Sequence, residues 1–121
     1  MPITLNHTIV PATDKEASAR FFAEIMGLEY AGVSGHFAPV RVNETLTMDF
    51  DNRDVVESHH YAFKVDDEQF ETIFGRVKAA GLKYGSSPFA QDNMELNSRR
   101  GGRGFYFKDP NGHSLELLTH D

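Results

Sequence analysis

The chain contains no cysteine, so it can form no disulfide, no thiolate metal site and no cysteine nucleophile. Basic residues are a minority, with 12 Lys and Arg against 18 Asp and Glu and a formal net charge of −6. This balance argues against nucleic acid and anionic membranes as partners, because both attract a basic face. No apolar run approaches the roughly 20 residues of a membrane span. The segment Met1–Thr4 does not resemble a signal peptide, so we expect a cytoplasmic protein.

An internal repeat organises the chain, whose 121 residues suit a single domain of ordinary composition. Each half contains a histidine, then a helix-capping side chain six residues later, then a Gly-Leu-X-Tyr segment. These features are His7, Thr13 and residues 27–30 in the first half, and His60, Asp66 and residues 81–84 in the second. The matching order and spacing indicate a duplicated structural unit.

Each unit is predicted to be a strand, a helix and three further strands. Capping boxes at Thr13–Glu16 and Asp66–Gln69 start the helices, and Gly27 and Gly81 end them. The strands are expected near 5–10, 28–33, 37–42 and 45–50, and near 60–65, 82–86, 104–108 and 113–119. The fold class is therefore α+β, with two tandem βαβββ units (about 1–50 and 58–121, linker 51–57) in one curved, mixed, eight-stranded sheet.

Two connections within the units have turn signals, and one segment has none. Asn43-Glu44 is predicted to be a two-residue hairpin link, and Asp109–Gly112 a tight turn. The structure of residues 87–103 is left open, and we expect a mobile loop there. Loops of this length in compact domains are often functional.

Strand parity places two potential metal ligands on one face of the second unit. Tyr61 and Phe63 are expected to cover the helix, which leaves His60 on the opposite face. The same alternation sets Glu116 opposite Leu115 and Leu117. In the first strand parity does not decide, but the repeat gives His7 the position of His60. His59 is a weaker alternative ligand because its parity is wrong.

Two histidines and a carboxylate are the ligand set of non-haem Fe(II) oxygenases and of some catalytic zinc sites. Taken singly, such residues are more often structural or solvated, so the prediction depends on the repeat, the parity and a family resemblance together.

Three stretches, 5–10, 60–63 and 104–117, resemble the vicinal-oxygen-chelate superfamily. It includes glyoxalase I, extradiol dioxygenases, fosfomycin-resistance thiol transferases and bleomycin-resistance proteins. The resemblance implies that His7, His60 and Glu116 bind one divalent metal, Fe, Mn, Zn or Ni. It also implies that this metal chelates two neighbouring oxygens of a small substrate as a Lewis acid.

The sequence departs from each branch. Glyoxalase I has a further Glu ligand in the stretch corresponding to residues 45–50, where this chain has only Asp49, which parity places away from the site. The motifs look most like the fosfomycin-resistance thiol transferases, yet Ile9 replaces their Thr, and their basic C-terminal extension is missing after Asp121. Typical extradiol dioxygenases are about twice as long, and bleomycin-resistance proteins bind their drug without metal.

Further candidates surround the predicted site. Lys64 shares the face of His60, and Tyr106 lies on the strand beside Glu116, so both are candidate catalytic residues. The alternatives are a Lys64 side chain that extends into solvent and a Tyr106 hydroxyl with a structural role. Arg99, Arg100 and Arg103 are candidates for binding an anionic group of the substrate, although a solvated loop explains them as well.

The leading hypothesis is a metal-dependent lyase, isomerase or dioxygenase acting on a small molecule, in a homodimer. Its main alternative is a metal-free, ligand-sequestering protein of the bleomycin-resistance type. A second alternative is a protein whose triad holds an adventitious ion.

Overall fold

The computed structural model describes residues 2–121 and has the predicted α+β class. Its elements are β1 (His7–Ala12), α1 (Lys15–Met26), β2 (Ala38–Arg41), β3 (Thr47–Asn52), β4 (His60–Lys64), α2 (Asp67–Ala79), β5 (Tyr84–Gly85), β6 (Gly104–Lys108) and β7 (Ser114–Leu118), with a 3₁₀ turn at Arg99–Gly101. Internal contacts divide the chain into two compact units, between Glu57 and Ser58. None of the helices in residues 2–121 is both long and apolar enough to cross a bilayer.

The first unit packs α1 on a three-stranded sheet of order β1-β3-β2. β1 runs parallel to β3, and β2 antiparallel to it. Phe22 of α1 packs on Phe50 of β3 with ring centroids 5.7 Å apart. The prediction of Thr13 as helix cap is wrong by one residue, because Asp14 accepts the capping hydrogen bond from the Ala17 N–H at 3.1 Å.

The second unit packs α2 on a four-stranded sheet of order β4-β7-β6-β5. Phe70 and Phe74 of α2 contact Phe105 of β6 at centroid distances of 5.4 and 5.2 Å. The capping box of Asp66 and Gln69 is confirmed, with both reciprocal hydrogen bonds formed. These contacts occupy one face of the sheet and leave the other for polar side chains.

The predicted eight strands become seven in the described residues. The strand expected at 28–33 does not form a ladder, and the nearest pairing is a single bridge between Ser34 and Phe37. Gly32 and Gly35 there have φ values of 101° and 60°, which interrupt extended backbone. Each unit therefore has a sheet of its own, one of three strands and one of four, and the single eight-stranded sheet of the prediction is not confirmed.

Two predicted connections also differ. The link between β2 and β3 spans residues 42–46 rather than Asn43-Glu44 alone, because the Asn43 side chain accepts hydrogen bonds from the N–H groups of Thr45 and Leu46. β3 extends to Asn52, so the predicted linker 51–57 begins later than expected.

Candidate metal centre

His60 and Glu116 lie side by side on one face of the second sheet. β4 and β7 are parallel neighbours, with Ala62 paired to Glu116 and His60 to Ser114. The Nε2 atom of His60 is 3.0 Å from Oε1 of Glu116. The histidine side chain is 48% exposed and the glutamate side chain 9%. A half-open imidazole and a nearly buried carboxylate therefore point at one spot.

Tyr106 lies directly across from Glu116 in the β6–β7 ladder. Its hydroxyl accepts a hydrogen bond from Nη1 of Arg99 at 2.7 Å. Burial and then the charge of Glu116 raise the pKa of Tyr106, while Arg99 opposes them. The phenol therefore stays protonated at neutral pH and remains a donor.

His7 occupies the corresponding face of the first unit. Val10 and Ala12 of β1 are buried in the core with α1, and His7 points to the other side of the sheet. Its Nδ1 is 2.8 Å from Oδ1 of Asn6. A proton on Nδ1, donated to Asn6, leaves the lone pair of Nε2 free to bind a metal.

The structure brings together two of the three predicted ligands. Within residues 2–121, no three His, Asp or Glu side chains converge closely enough to hold an ion. His60 and Glu116 are paired in the second unit, and His7 belongs to the first.

The predicted orientation of Asp49 is wrong. Met48 and Phe50 are the buried apolar residues of β3, so Asp49 takes the opposite face, which is the face of His7. His7 pairs with Thr47 and Ile9 with Asp49, as His60 pairs with Ser114 and Ala62 with Glu116. Asp49 thus has the place in its unit that Glu116 has in the other, a relation that only the register reveals.

A cavity of about 680 Å³ opens on the same face of the first unit. Its wall includes Pro39, Arg41 and Thr47, and Thr47 is the cross-strand partner of His7. Cavities of roughly 300–1,000 Å³ accommodate drug-sized molecules. Sequence reasoning missed Arg41, because its position beside Thr47 depends on the register of β2 against β3.

The remaining predicted residues have contacts of their own. Lys64 forms an ion pair with Asp121 at 2.7 Å and thereby lowers the pKa of that carboxyl. Arg103 pairs with Glu71 and Asp67 of α2. A role for Lys64 or Arg103 at a substrate would require these pairs to break.

Arg100 and His59 complete the set of candidates. Arg100 is exposed, with a positive φ of 56° that is unusual for a residue with a side chain. The backbone N–H of His59 donates to Nδ1 of His113 at 2.9 Å, and the rings of the two histidines are in contact. The loop expected at 87–103 contains ordered features, including bridges between Ser87 and Ala90 and between Asn97 and Gly104.

The sequence profile of the Glyoxalase/Bleomycin resistance protein/Dioxygenase superfamily matches residues 4–117. The chain belongs to this superfamily. Within it, the chain is 31% identical over 121 residues to the glutathione transferase FosA of Serratia marcescens, covering 94% of this chain and 79% of that protein.

Two solved structures of oxidases are similar over nearly the whole chain. Oxidase ChaP-H2 is 48% identical with a TM-score of 0.94, and the match covers 100% of this chain and 96% of that one. Oxidase ChaP-H1 is 45% identical with a TM-score of 0.94, covering 99% of this chain and 98% of the other. The superfamily and its α+β fold are therefore established for this chain.

The donor set of the second unit fits the divalent metal that the superfamily implies. Two neighbouring donors of an octahedral ion, each about 2.1 Å from it and at right angles, are about 3.0 Å apart. His60 Nε2 and Glu116 Oε1 have this separation.

Proposed function

We propose that this superfamily member is a metal-dependent oxidase or dioxygenase, in which His7, His60 and Glu116 bind one divalent metal and a small molecule is oxidised. The pairing of His60 with Glu116 at 3.0 Å is the observation that carries the proposal. The likeness to oxidase ChaP-H2 over the whole chain favours oxidation over the other reactions of the superfamily.

The metal, when bound, would supply Lewis acidity to neighbouring oxygens of the substrate. His60 and Glu116 would hold it from the second sheet, where the glutamate side chain is nearly buried. Tyr106 lies opposite Glu116 in the β6–β7 ladder, and its role as a catalytic residue stays a prediction. Lys64, Arg99, Arg100 and Arg103 stay predictions as catalytic or substrate-binding residues.

The proposed substrate is a small, oxygen-rich molecule. Support comes from the cavity of about 680 Å³, whose wall includes the cationic side chain of Arg41. The same wall includes Thr47, the cross-strand partner of His7. We also propose a homodimer, and the cytoplasmic location remains a prediction.

An oxygen electrode tests the proposed reaction. The protein is loaded anaerobically with Fe²⁺ and offered catechols, hydroxyquinones and α-hydroxyketones in air-saturated buffer. We expect at least one class to drive oxygen uptake that falls to background in His60→Ala. Metal binding without oxygen uptake on any class would contradict the oxidase assignment.

Thiol transfer is the second candidate, favoured by the 31% identity with the glutathione transferase FosA. Phosphorus NMR of fosfomycin mixed with glutathione and the Mn²⁺-loaded protein tests it directly. A new phosphonate signal that depends on both protein and thiol would select this candidate. Ligand binding without any metal uptake would instead favour the sequestering protein.

A further inference from the structure

A second cavity, of about 410 Å³, opens in the second unit. Its wall includes Lys83, Phe89, Gln91, Asp92 and Lys108. Two of these side chains are cationic and one is anionic, whereas the wall of the first-unit cavity has one arginine and two glutamates. The wall of the second cavity therefore has a net positive formal charge, and that of the first a net negative one.

The register of the second sheet places this cavity beside the proposed metal ligands. Lys108 pairs with Ser114, and Ser114 pairs with His60, so the three residues form one row across β6, β7 and β4. Because Phe105 packs against α2, the alternation of the strand sets Lys108 on the opposite face, with His60. Neighbouring strands are about 4.8 Å apart, so the backbones of Lys108 and His60 are about 10 Å apart.

The segment 87–91 forms the other side of the cavity and is fixed to the same face of the sheet. Nε2 of Gln91 donates to the carbonyl oxygen of Pro88 at 3.0 Å and to Oγ of Ser114 at 3.1 Å. The ring of Phe89 is left in solvent, with a relative exposure of 98%. An ordered turn thus presents an aromatic ring at the cavity.

The two lysines of the wall have no anionic partner within residues 2–121. Lys83 and Lys108 form no ion pair there, unlike Lys64 and Arg103. An anionic ligand would therefore displace no internal partner from them. A planar ring of the same ligand could stack on Phe89, since aromatic pairs attract beyond the area that they bury.

We propose that this cavity binds the anionic, aromatic end of the substrate, with Lys83 and Lys108 as its cationic contacts. The role in substrate binding rests on the proposed function, whereas the binding of an aromatic anion does not. The substrate class is then an aromatic carboxylate or phenolate. Its negative group lies on the order of 10 Å from the neighbouring oxygens that the metal would chelate.

Calorimetric titration with 2-naphthoate and with the neutral, similarly shaped 2-naphthamide tests the charge preference. We expect the wild-type protein to bind 2-naphthoate roughly tenfold more tightly, and Lys83→Met and Lys108→Met each to reduce that preference by about threefold. Arg41→Met is the matched control, because it removes the cation of the first-unit cavity and should leave the preference unchanged. Thermal unfolding checks that each variant is folded.

Two results would overturn the proposed anion site. One is equal binding of the two probes by the wild-type protein. The other is a preference for 2-naphthoate that survives undiminished in both lysine variants, whatever the result for Arg41→Met.

His60→Ala separates this site from the metal centre. The variant should bind 2-naphthoate as the wild type does, because the cavity wall is unchanged. Loss of binding would place the carboxylate of the probe at the metal and overturn the cavity assignment. Failure of the oxygen-uptake test with the charge preference intact would overturn the proposed oxidation and leave the anion site standing.

Steady-state kinetics tests the link to the reaction. For an anionic substrate that supports oxygen uptake, Lys108→Met should raise KM about threefold and leave kcat within roughly twofold of the wild-type value. An unchanged KM would contradict the role of the cavity in substrate binding.

Discussion

At the scale of single residues, the pair formed by His60 and Glu116 was within reach of sequence reasoning. Both belong to strands with clear alternation, in which Leu115 and Leu117 are buried with α2, so parity alone assigns the faces. The face taken by Asp49 could not be predicted in this way, because Thr47 and Asp49 are both only partly buried. The burial of Met48 and Phe50, which decides it, depends on where α1 packs.

Adjacent histidines provide a residue-scale prediction. His60→Ala should abolish high-affinity metal binding, because it removes a ligand from the proposed set. His59→Ala is the matched control, since His59 precedes β4 and contacts His113 rather than Glu116. Calorimetric titration with Mn²⁺ distinguishes the two variants. Equal loss of binding in both would identify the wrong histidine.

At the scale of elements, local signals predicted both helices and most strands, and failed where tertiary contacts decide. The Asp66 box is a local signal with both partners present in the sequence, and it forms. Residues 28–33 have suitable composition for a strand, but glycines with positive φ break the extended chain. Segment 87–103 has no periodicity because side-chain hydrogen bonds, such as that from Asn97 to the Ser86 carbonyl, organise it.

The cap of α2 is testable alone. Asp66→Ala removes the acceptor for the Gln69 N–H, a contact of 2.7 Å. We expect a loss of about 1 kcal/mol in the free energy of unfolding, measured by urea denaturation. The effect should be confined to stability, so metal affinity measured well below the unfolding transition should match the wild type.

Gly85 of β5 allows a sharper test of packing. A Cβ there would lie 1.8 Å from the carbonyl oxygen of Ala90, so Gly85→Ala must displace backbone. We expect destabilisation by about 1–3 kcal/mol in urea. Gly75→Ala is the control: it lies within α2 with no atom near its Cβ, and should stabilise by roughly 0.5–1 kcal/mol. A neutral Gly85→Ala would show that the approach of Ala90 is not constrained.

At the scale of the whole molecule, His7 belongs to one unit and the His60–Glu116 pair to the other, so the proposed three-ligand site would require both units. We expect a homodimer, with a light-scattering mass twice the chain mass of 13.6 kDa. A mass of one chain at micromolar concentration would contradict this prediction.

Mixing two defective variants then shows which chain supplies His7. If the site combines His7 of one chain with His60 and Glu116 of another, a mixed dimer of His7→Ala and Glu116→Ala contains one intact site, and metal binding recovers. If all three ligands come from one chain, each site in the mixed dimer lacks a ligand and binding stays absent.

The central claim is that Glu116 helps to hold a resident divalent metal. Its most direct test is elemental analysis of protein purified without chelator or affinity tag, alongside Glu116→Ala prepared in parallel. We expect about one Fe, Mn, Zn or Ni per wild-type chain, and none in the variant. Full metal content in the variant, or wild-type protein that neither contains metal nor takes it up on titration, would contradict it.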